Sequence, residues 1–493
     1  MENIHILKSY FNREKGNKTT NNSSQYEICN YLSSLSKLDP KSLSQNDYND
    51  LIKYLPFSPN ENSNDIVAAA FNVVASLCSD ESARHNFGEK MIKITIDAFQ
   101  TFALQNDIET TEECLIQTGR VIGNLCYYNE ANTKRALEDG CLSITTKLIS
   151  LNHKQSTQFI IIGLLMNLTH LHEYEYEFPD NMTEELNSFG VSNMNYKFNC
   201  QLYFNLVSVL INVVQKSAKK NDISKYEKCS IIDWLLENHS SHSDIAYICI
   251  KFIKTVSKTS NNYCWILNGK HKIMAEVLNV YEEKLEEDTN QIIKKICNTI
   301  VLLSNDDSAQ EIDKRDAVLY LVEWLIIKMK SKNVYIQVSA IRSLGNFARF
   351  NYECGNDVYK YPANLIESNM GWFLDILINS GKEKSTVLAV SILCLFKNIL
   401  YVSSFGSLHK NEQKKLVNYT IEILNETSTS IPIILKILDV IECIIRKNGL
   451  DQEHLKLYQS PDFNKQVKRY CDSPVKEIQE NAKKLFQLIE NSC

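Results

Sequence analysis

Apolar residues recur along this chain at helical spacing, most clearly in Ile116–Ser143, IQTGRVIGNLCYYNEANTKRALEDGCLS. Val121, Ile122, Leu125 and Cys126 fall at i, i+1, i+4 and i+5, which is one face of a helix. Gly119 and Gly123 lie one turn apart on the same run. Glycine inside a helix costs about 1 kcal/mol relative to alanine, so these positions predict close helix packing. Asn124 sits among the apolar positions, where a polar group is costly unless it is partnered. A polar break at Tyr127–Thr133 precedes a second helical run, Lys134–Glu138, and Asp139-Gly140 reads as a helix stop. Helix, short polar turn, helix, glycine, helix is therefore the unit, and the rest of the chain reads as copies of it.

The copies can be set in register on one polar residue each. Asn72 lies in IVAAAFNVVASLCSD, Asn167 in IIIGLLMNLTH, Asn212 in LVSVLINVVQK, Asn298 in IKKICNTIVLLSN, Asn346 in IRSLGNFARFN and Asn398 in LCLFKNILYVS. Lys254 in CIKFIKTVSK and Glu442 in ILDVIECIIRK fill the two remaining places. Successive intervals run from 42 to 52 residues, close to the period of roughly 40–47 of armadillo and HEAT repeats. The longer intervals imply loop insertions, for example around YVSSFGSLHKNEQ. The expectation is an all-α fold, an armadillo/HEAT-type right-handed superhelical solenoid. About nine to eleven repeats would occupy residues 26–493. Residues 1–25, ending in the polar tract NKTTNNSSQ, read as a flexible N-terminal segment. Leu55-Pro56 and Ser58-Pro59 break the first helical stretch, and no alternating β pattern interrupts the series. VKEIQENAKKLFQLIE, apolar at Val475, Ile478, Ala482, Leu485 and Leu488, reads as a capping helix with a wet outer face. In armadillo repeats the third helix of each unit lines the concave groove, so the anchors are expected to face a ligand.

Composition agrees with helices on short connections: 14 glycines and 8 prolines are few for 493 residues. The formal net charge of -6 argues against a nucleic-acid binder and fits a basic partner. Fifteen cysteines are scattered without a C-x-x-C pair. Cys78, Cys126, Cys249, Cys297, Cys394 and Cys443 fall on apolar helix faces, as small buried hydrophobes in a reducing cytoplasm do. The N-terminus has no apolar signal core and no run reaches the ~18 apolar residues of a membrane span, so cytoplasmic location without membrane insertion is expected. The terminal ENSC is no prenylation signal.

Candidate chemistry is non-covalent. A side-chain amide both donates and accepts, so one asparagine per repeat, notably Asn124, Asn167, Asn298, Asn346 and Asn398, can clamp an extended partner. The other reading is that each ties together the turns of its own repeat. Two acidic runs are candidates for holding a polybasic tail: Glu173, Glu175 and Glu177, and Glu282, Glu283, Glu286, Glu287 and Asp288. His170 with His172, and His239 with His242, lack a third ligand at metal-site spacing. A phosphate loop fails at Gly269-Lys270, which His271 follows, and no G-x-S-x-G or H-E-x-x-H occurs. No catalytic residue, cofactor or metal is expected. The W-x-x-x-N groove signature occurs once, Trp234–Asn238, between the anchors at 212 and 254 and thus on a different helix of the unit.

IQTGRVIGNLCYYNEANTKRALEDG resembles the early repeat of smgGDS, the small-GTPase GDP-dissociation stimulator family, which also reads Q-T-G-R-x-x-G-N-x-C-Y. IRSLGNFARFNYEC resembles that family's later G-N-F-A-R-N repeat, and CLFKNILY its following R-N-L-A repeat. The resemblance implies a cytoplasmic armadillo regulator of Rho- and Rap-type small GTPases with prenylatable, polybasic C-termini. Such a protein acts as chaperone and as guanine-nucleotide exchange factor. It further implies contact near the GTPase switch regions through Asn346, Arg349 and Asn398, an acidic surface for the basic tail, and an apolar cleft for the prenyl chain. Phe350 stands where the family has Asn, and Lys397 where it has Arg, and the chain is shorter than the long members. The alternative is a generic armadillo scaffold or transport adaptor holding an extended peptide.

Overall fold

The computed structural model describes residues 22–60, 62–105, 108–151, 154–170, 177–179, 181–217, 226, 229–259, 269–284, 289–305, 314–350, 352–354, 357–359, 361–382, 385–402, 408–426, 429–446 and 452–491. Helices dominate throughout. Contacts divide the chain into two units, Met1–Thr259 and Ser260–Cys493.

The first unit opens with α1 (Asn22–Leu35), α2 (Gln45–Tyr54) and α3 (Asn64–Leu77). Then come α4 (Glu81–Ala103) and α5 (Ile108–Cys126), followed by α6 (Glu130–Glu138), α7 (Cys141–Ile149) and α8 (Gln155–Thr169). It closes with α9 (Met182–Ser192), α10 (Cys200–Ser217), α11 (Ser230–His239) and α12 (Ser243–Thr259). One helix of each layer packs on its counterpart in the next, in the order α3, α5, α8, α10, α12. These five carry Asn72, Asn124, Asn167, Asn212 and Lys254. The register read from one polar residue per repeat is thus the stacking register of the fold.

The second unit repeats the arrangement. It contains α13 (Lys270–Glu282), α14 (Thr289–Ser304), α15 (Arg315–Lys328) and α16 (Val334–Phe347). These are followed by α17 (Tyr361–Glu367), α18 (Met370–Lys382), α19 (Thr386–Val402), α20 (Lys410–Asn425) and α21 (Ile431–Arg446). The chain ends with α22 (Gln452–Tyr458), α23 (Pro461–Cys471) and α24 (Lys476–Asn491). Here α14, α16, α19, α21 and α24 pack in succession. A helix with a neighbour on either side and its own layer beneath buries most of its circumference. That is why α19 reads TVLAVSILCLFKNILYV, with Leu388, Ala389, Ile392, Leu393, Leu395, Phe396, Ile399 and Leu400 buried.

Corners follow from local chemistry. Gly88 (φ 52°) kinks α4, and Gly140 (φ 78°) separates α6 from α7; both adopt the left-handed conformation in which side chains are strained. The helix predicted from Lys134 begins at Glu130. Asn129 caps it, and buried Asn132 and Thr133 reach back to the carbonyls of Leu125 and Cys126, so the polar break is a tight corner rather than a loop. A short antiparallel pair, β1 (Tyr352–Cys354) and β2 (Asp357–Tyr359), interrupts the helices where none was expected. Its signal is the Gly355-Asn356 dipeptide between the strands, a common hairpin-loop pair. The capping helix is present as α24, buried at Ile478, Ala482, Leu485 and Ile489 rather than at Leu488. Of the N-terminal segment, α1 already includes Asn22–Gln25, and residues 1–21 lie outside the described residues. No helix among the described residues is long and apolar enough to cross a membrane.

Candidate protein-binding face

The long helix of each layer leaves one narrow stripe uncovered. On α16 the stripe runs through Tyr335, Ser339, Arg342, Asn346 and, just past the helix end, Arg349. These positions repeat every three or four residues, so they share one side of the helix. On α14 it passes through Gln291, Lys294, Asn298 and, just past the helix end, Asn305; on α19 through Cys394, Lys397, Asn398 and Tyr401; on α21 through Lys436, Asp439, Glu442 and Arg446.

The asparagines stand at the edge of this stripe, half-buried, and spend one amide hydrogen on the layer before them. Asn124 donates to the Ala75 carbonyl at 2.8 Å, Asn167 to that of Gly123 at 3.0 Å and Asn398 to that of Gly345 at 2.8 Å. Asn212 donates to the Thr169 hydroxyl at 3.1 Å and Asn346 to the Ser304 hydroxyl at 3.2 Å. Asn72 accepts from Arg120, which also donates to Gln117. The amide therefore ties neighbouring repeats together, across layers rather than within its own repeat. Asn298 differs: it is exposed and makes no such bond among the described residues. The glycines on these helices differ. A Cβ on Gly345 would lie 3.2 Å from Leu395 Cα and one on Gly119 2.8 Å from Ile160 Cγ2, so close packing holds at both, whereas at Gly123, where it was also expected, a Cβ would meet Asn167 Nδ2 at an ordinary 3.7 Å.

Charged side chains on the stripe of the second unit bond between layers and, on α21, within one helix. Lys294 Nζ lies 4.4 Å from the centroid of the exposed Tyr335 ring. Arg349 donates to Asn305 at 3.1 Å, and Arg342 to the Ser391 hydroxyl at 3.2 Å. Lys397 and Lys436 share the Asp439 carboxylate at 2.9 and 3.1 Å, and Arg446 pairs with Glu442 at 2.8 Å. Burial disfavours the charged form of Lys397, but the bond to Asp439 outweighs it and raises its pKa. The sequence singles out Arg349, and Lys397 only as standing where the resembled family has Arg; it does not single out Lys294, Arg342, Lys436 or Arg446, although Lys294, Arg342 and Arg446 each lie four residues from an anchor.

Of the acidic candidates, Glu177, Glu282 and Glu283 are among the described residues. Glu282 is half-buried and paired with Lys328 beside Trp324, so its charge is already matched; Glu283 and Glu177 are exposed. Glu173, Glu175, Glu286, Glu287 and Asp288 lie outside the described residues, as does His172. His170 approaches the Asn167 carbonyl. His239 lies face to face on Phe198 at 3.7 Å, with Trp234 at 4.6 Å and His242 nearby. Burial first, and the His242 charge second, lower its pKa. This pair is part of an aromatic stack, and no group of three metal-binding side chains occurs among the described residues. Trp234–Asn238 falls on α11, off the stripe, with the Asn238 amide donating to the Trp234 carbonyl. The buried cysteines have raised pKa values because burial disfavours the thiolate; Cys114, Cys141 and Cys297 are each pushed up to about 12.

A solved structure from work on a phosphorylation switch in the interaction between cadherin and beta-catenin is similar over 99% of this chain and 92% of that chain, with a TM-score of 0.58 and 9% identity. The fold is an armadillo-type α-solenoid. A crystal structure of an engineered protein matches over 99% of both chains, with a TM-score of 0.55 and 13% identity. At such identities the likeness concerns the fold alone. No family model matches the sequence, and no curated protein does.

Proposed function

We propose that this chain is a cytoplasmic, non-catalytic armadillo scaffold that binds small GTPases of Rho or Rap type. The observation that supports it is the pairing of Arg349, exposed on the stripe, with Asn346 at its edge, inside the G-N-F-A-R segment that resembles smgGDS. Asn298 on the layer before and Asn398 on the layer after extend the same surface. The GTPase would meet it near its switch regions, with its polybasic, prenylatable tail beyond. Exchange needs no covalent step: a surface that holds the nucleotide-free switch conformation more tightly than the GDP form promotes GDP release. Chaperoning needs only the binding. No cofactor, nucleic acid or membrane insertion enters this reading.

The test is retention of purified Rho- and Rap-type GTPases, GDP-loaded and nucleotide-free, on the immobilised full chain. Wild type is compared with Asn298→Ala/Arg349→Glu, both sites exposed enough to spare the fold. Retention by wild type, stronger for the nucleotide-free form and reduced in the variant, is expected. No retention of either form ends the GTPase assignment. Equal retention of both forms would favour the adaptor alternative, in which the chain holds an extended segment regardless of nucleotide.

A further inference from the structure

We propose that the open stripe of the second unit, on α14, α16, α19 and α21, binds an extended acidic peptide. This deepens the protein-binding reading without depending on the GTPase.

The chain as a whole is acidic, with a formal charge of -6, yet the sign inverts on this face. Counting whole helices, α14, α16 through Arg349, α19 and α21 carry seven cationic and two anionic side chains, and all but Lys295 lie on the stripe. Both carboxylates are already taken: Asp439 by Lys397 and Lys436 together, Glu442 by Arg446. The corresponding helices of the first unit carry five acidic and five basic residues, so the excess belongs to the second unit. Lys294, Arg342 and Arg349 are exposed and held by neutral partners, Tyr335, Ser391 and Asn305. Their charges are positioned but unmatched by those bonds, which favours an anionic ligand over the polybasic tail that overall charge suggested.

Shape selects the kind of anion. Packed helices lie about 8–10 Å apart, so four layers extend the stripe over roughly 30 Å. An extended chain covers that length in about ten residues at about 3.3 Å each. Amides punctuate the stripe once per layer at Asn298, Asn346 and Asn398, at a spacing suited to main-chain carbonyl and N–H groups. The net negative charge of the remainder opposes the dense charge of a nucleic acid.

The experiment titrates the full chain into a fluorescein-labelled peptide of about ten residues, in which Glu and Asp alternate with Leu and Ser, reading anisotropy. A peptide with Lys in the acidic places and a single-stranded RNA of equal charge are run beside it. Saturable binding of the acidic peptide is expected, absent for the Lys peptide, weakened by salt and about tenfold weaker for Lys294→Glu/Arg342→Glu. If the double variant melts early, the exposed Lys294→Glu alone makes the comparison. Equal affinity for acidic and Lys peptides, undiminished binding by a folded variant, or tighter binding of the RNA would overturn the proposal. GTPase retention without peptide binding would end this inference alone. Peptide binding without GTPase retention would end only the GTPase assignment.

Discussion

Asn398 donates its side-chain amide to the carbonyl oxygen of Gly345 at 2.8 Å, while the Cβ that Gly345 lacks would fall 3.2 Å from Leu395 Cα. One helix of the following layer thus uses the missing side chain and the exposed carbonyl of the same residue. Asn167 reaches the Gly123 carbonyl in the same way. The Gly-Asn pairs of GNLCY and GNFAR are parts of a joint: the glycine receives the next layer and the asparagine grips the previous one.

Removing a grip should weaken the joint. Asn398→Ala and Asn124→Ala are each expected to cost about 1 kcal/mol, seen as a lower urea midpoint by circular dichroism. Asn298→Ala, exposed and without an interlayer bond among the described residues, should stay within about 0.5 kcal/mol of wild type. A loss at Asn298 equal to that at Asn398 would contradict the joint. Nearest-neighbour stacking predicts that these losses stay local to the repeats concerned.

The repeats were legible in the sequence because each long helix is apolar on three sides and tolerates one polar stripe. Asn124, Asn167, Asn346 and Asn398 fall half-buried at the edge of that stripe. What an individual amide meets was not legible, because its partner, such as Ala75 for Asn124, lies 49 residues away. The face of positive charge was hidden by averaging: Lys294 and Arg342 are outnumbered in a chain of net charge -6. Glu282 misled for the opposite reason, since its partner Lys328 comes from another helix 46 residues on.

The two glycines should respond oppositely to alanine. Gly345→Ala must push on the Leu395 backbone, which cannot yield as a side chain can, and a loss of about 1–3 kcal/mol is expected. At Gly123 an added Cβ would meet Asn167 Nδ2 at 3.7 Å, an ordinary contact. There the helix preference of alanine, about 1 kcal/mol, should dominate and leave stability unchanged or raised. Thermal unfolding of the two variants separates these outcomes by sign.

Buried thiols set a different expectation. Cys141 and Cys297, whose pKa is pushed up to about 12, should resist iodoacetamide at neutral pH in the folded chain, because the thiolate is the reacting form. Cys78, Cys126 and Cys249, buried completely, should behave alike. Mass spectrometry of modified peptides should show these sites labelled only once denaturant unfolds their layer. Rapid labelling of Cys141 without denaturant would show that its layer opens in the native state.

Acid sensitivity should concentrate on Glu112. Its carboxylate is nearly sealed, at 5% exposure, where the fifth and eighth helices meet. It accepts from the Lys154 backbone N–H, from the Thr157 hydroxyl and from Lys154 Nζ, each at 2.8 Å. Lys154 is the N-cap of Gln155–Thr169 and has no capping side chain of its own, so Glu112 supplies that cap from the layer before. Burial pushes its pKa upward, but the bonds from Lys154 and Thr157 outweigh burial and hold it below the usual carboxylate range. A folded pKa lower than the unfolded value of about 4.3 stabilises the fold fully above that value, and the contribution fades as pH falls through the folded pKa. Glu112→Gln should therefore cost about 1–3 kcal/mol at neutral pH. Its urea midpoint should fall less steeply than that of wild type between about pH 5 and pH 2, so that the two curves converge in acid. Curves that stay parallel over this range would show that the carboxylate charge contributes nothing to the cap.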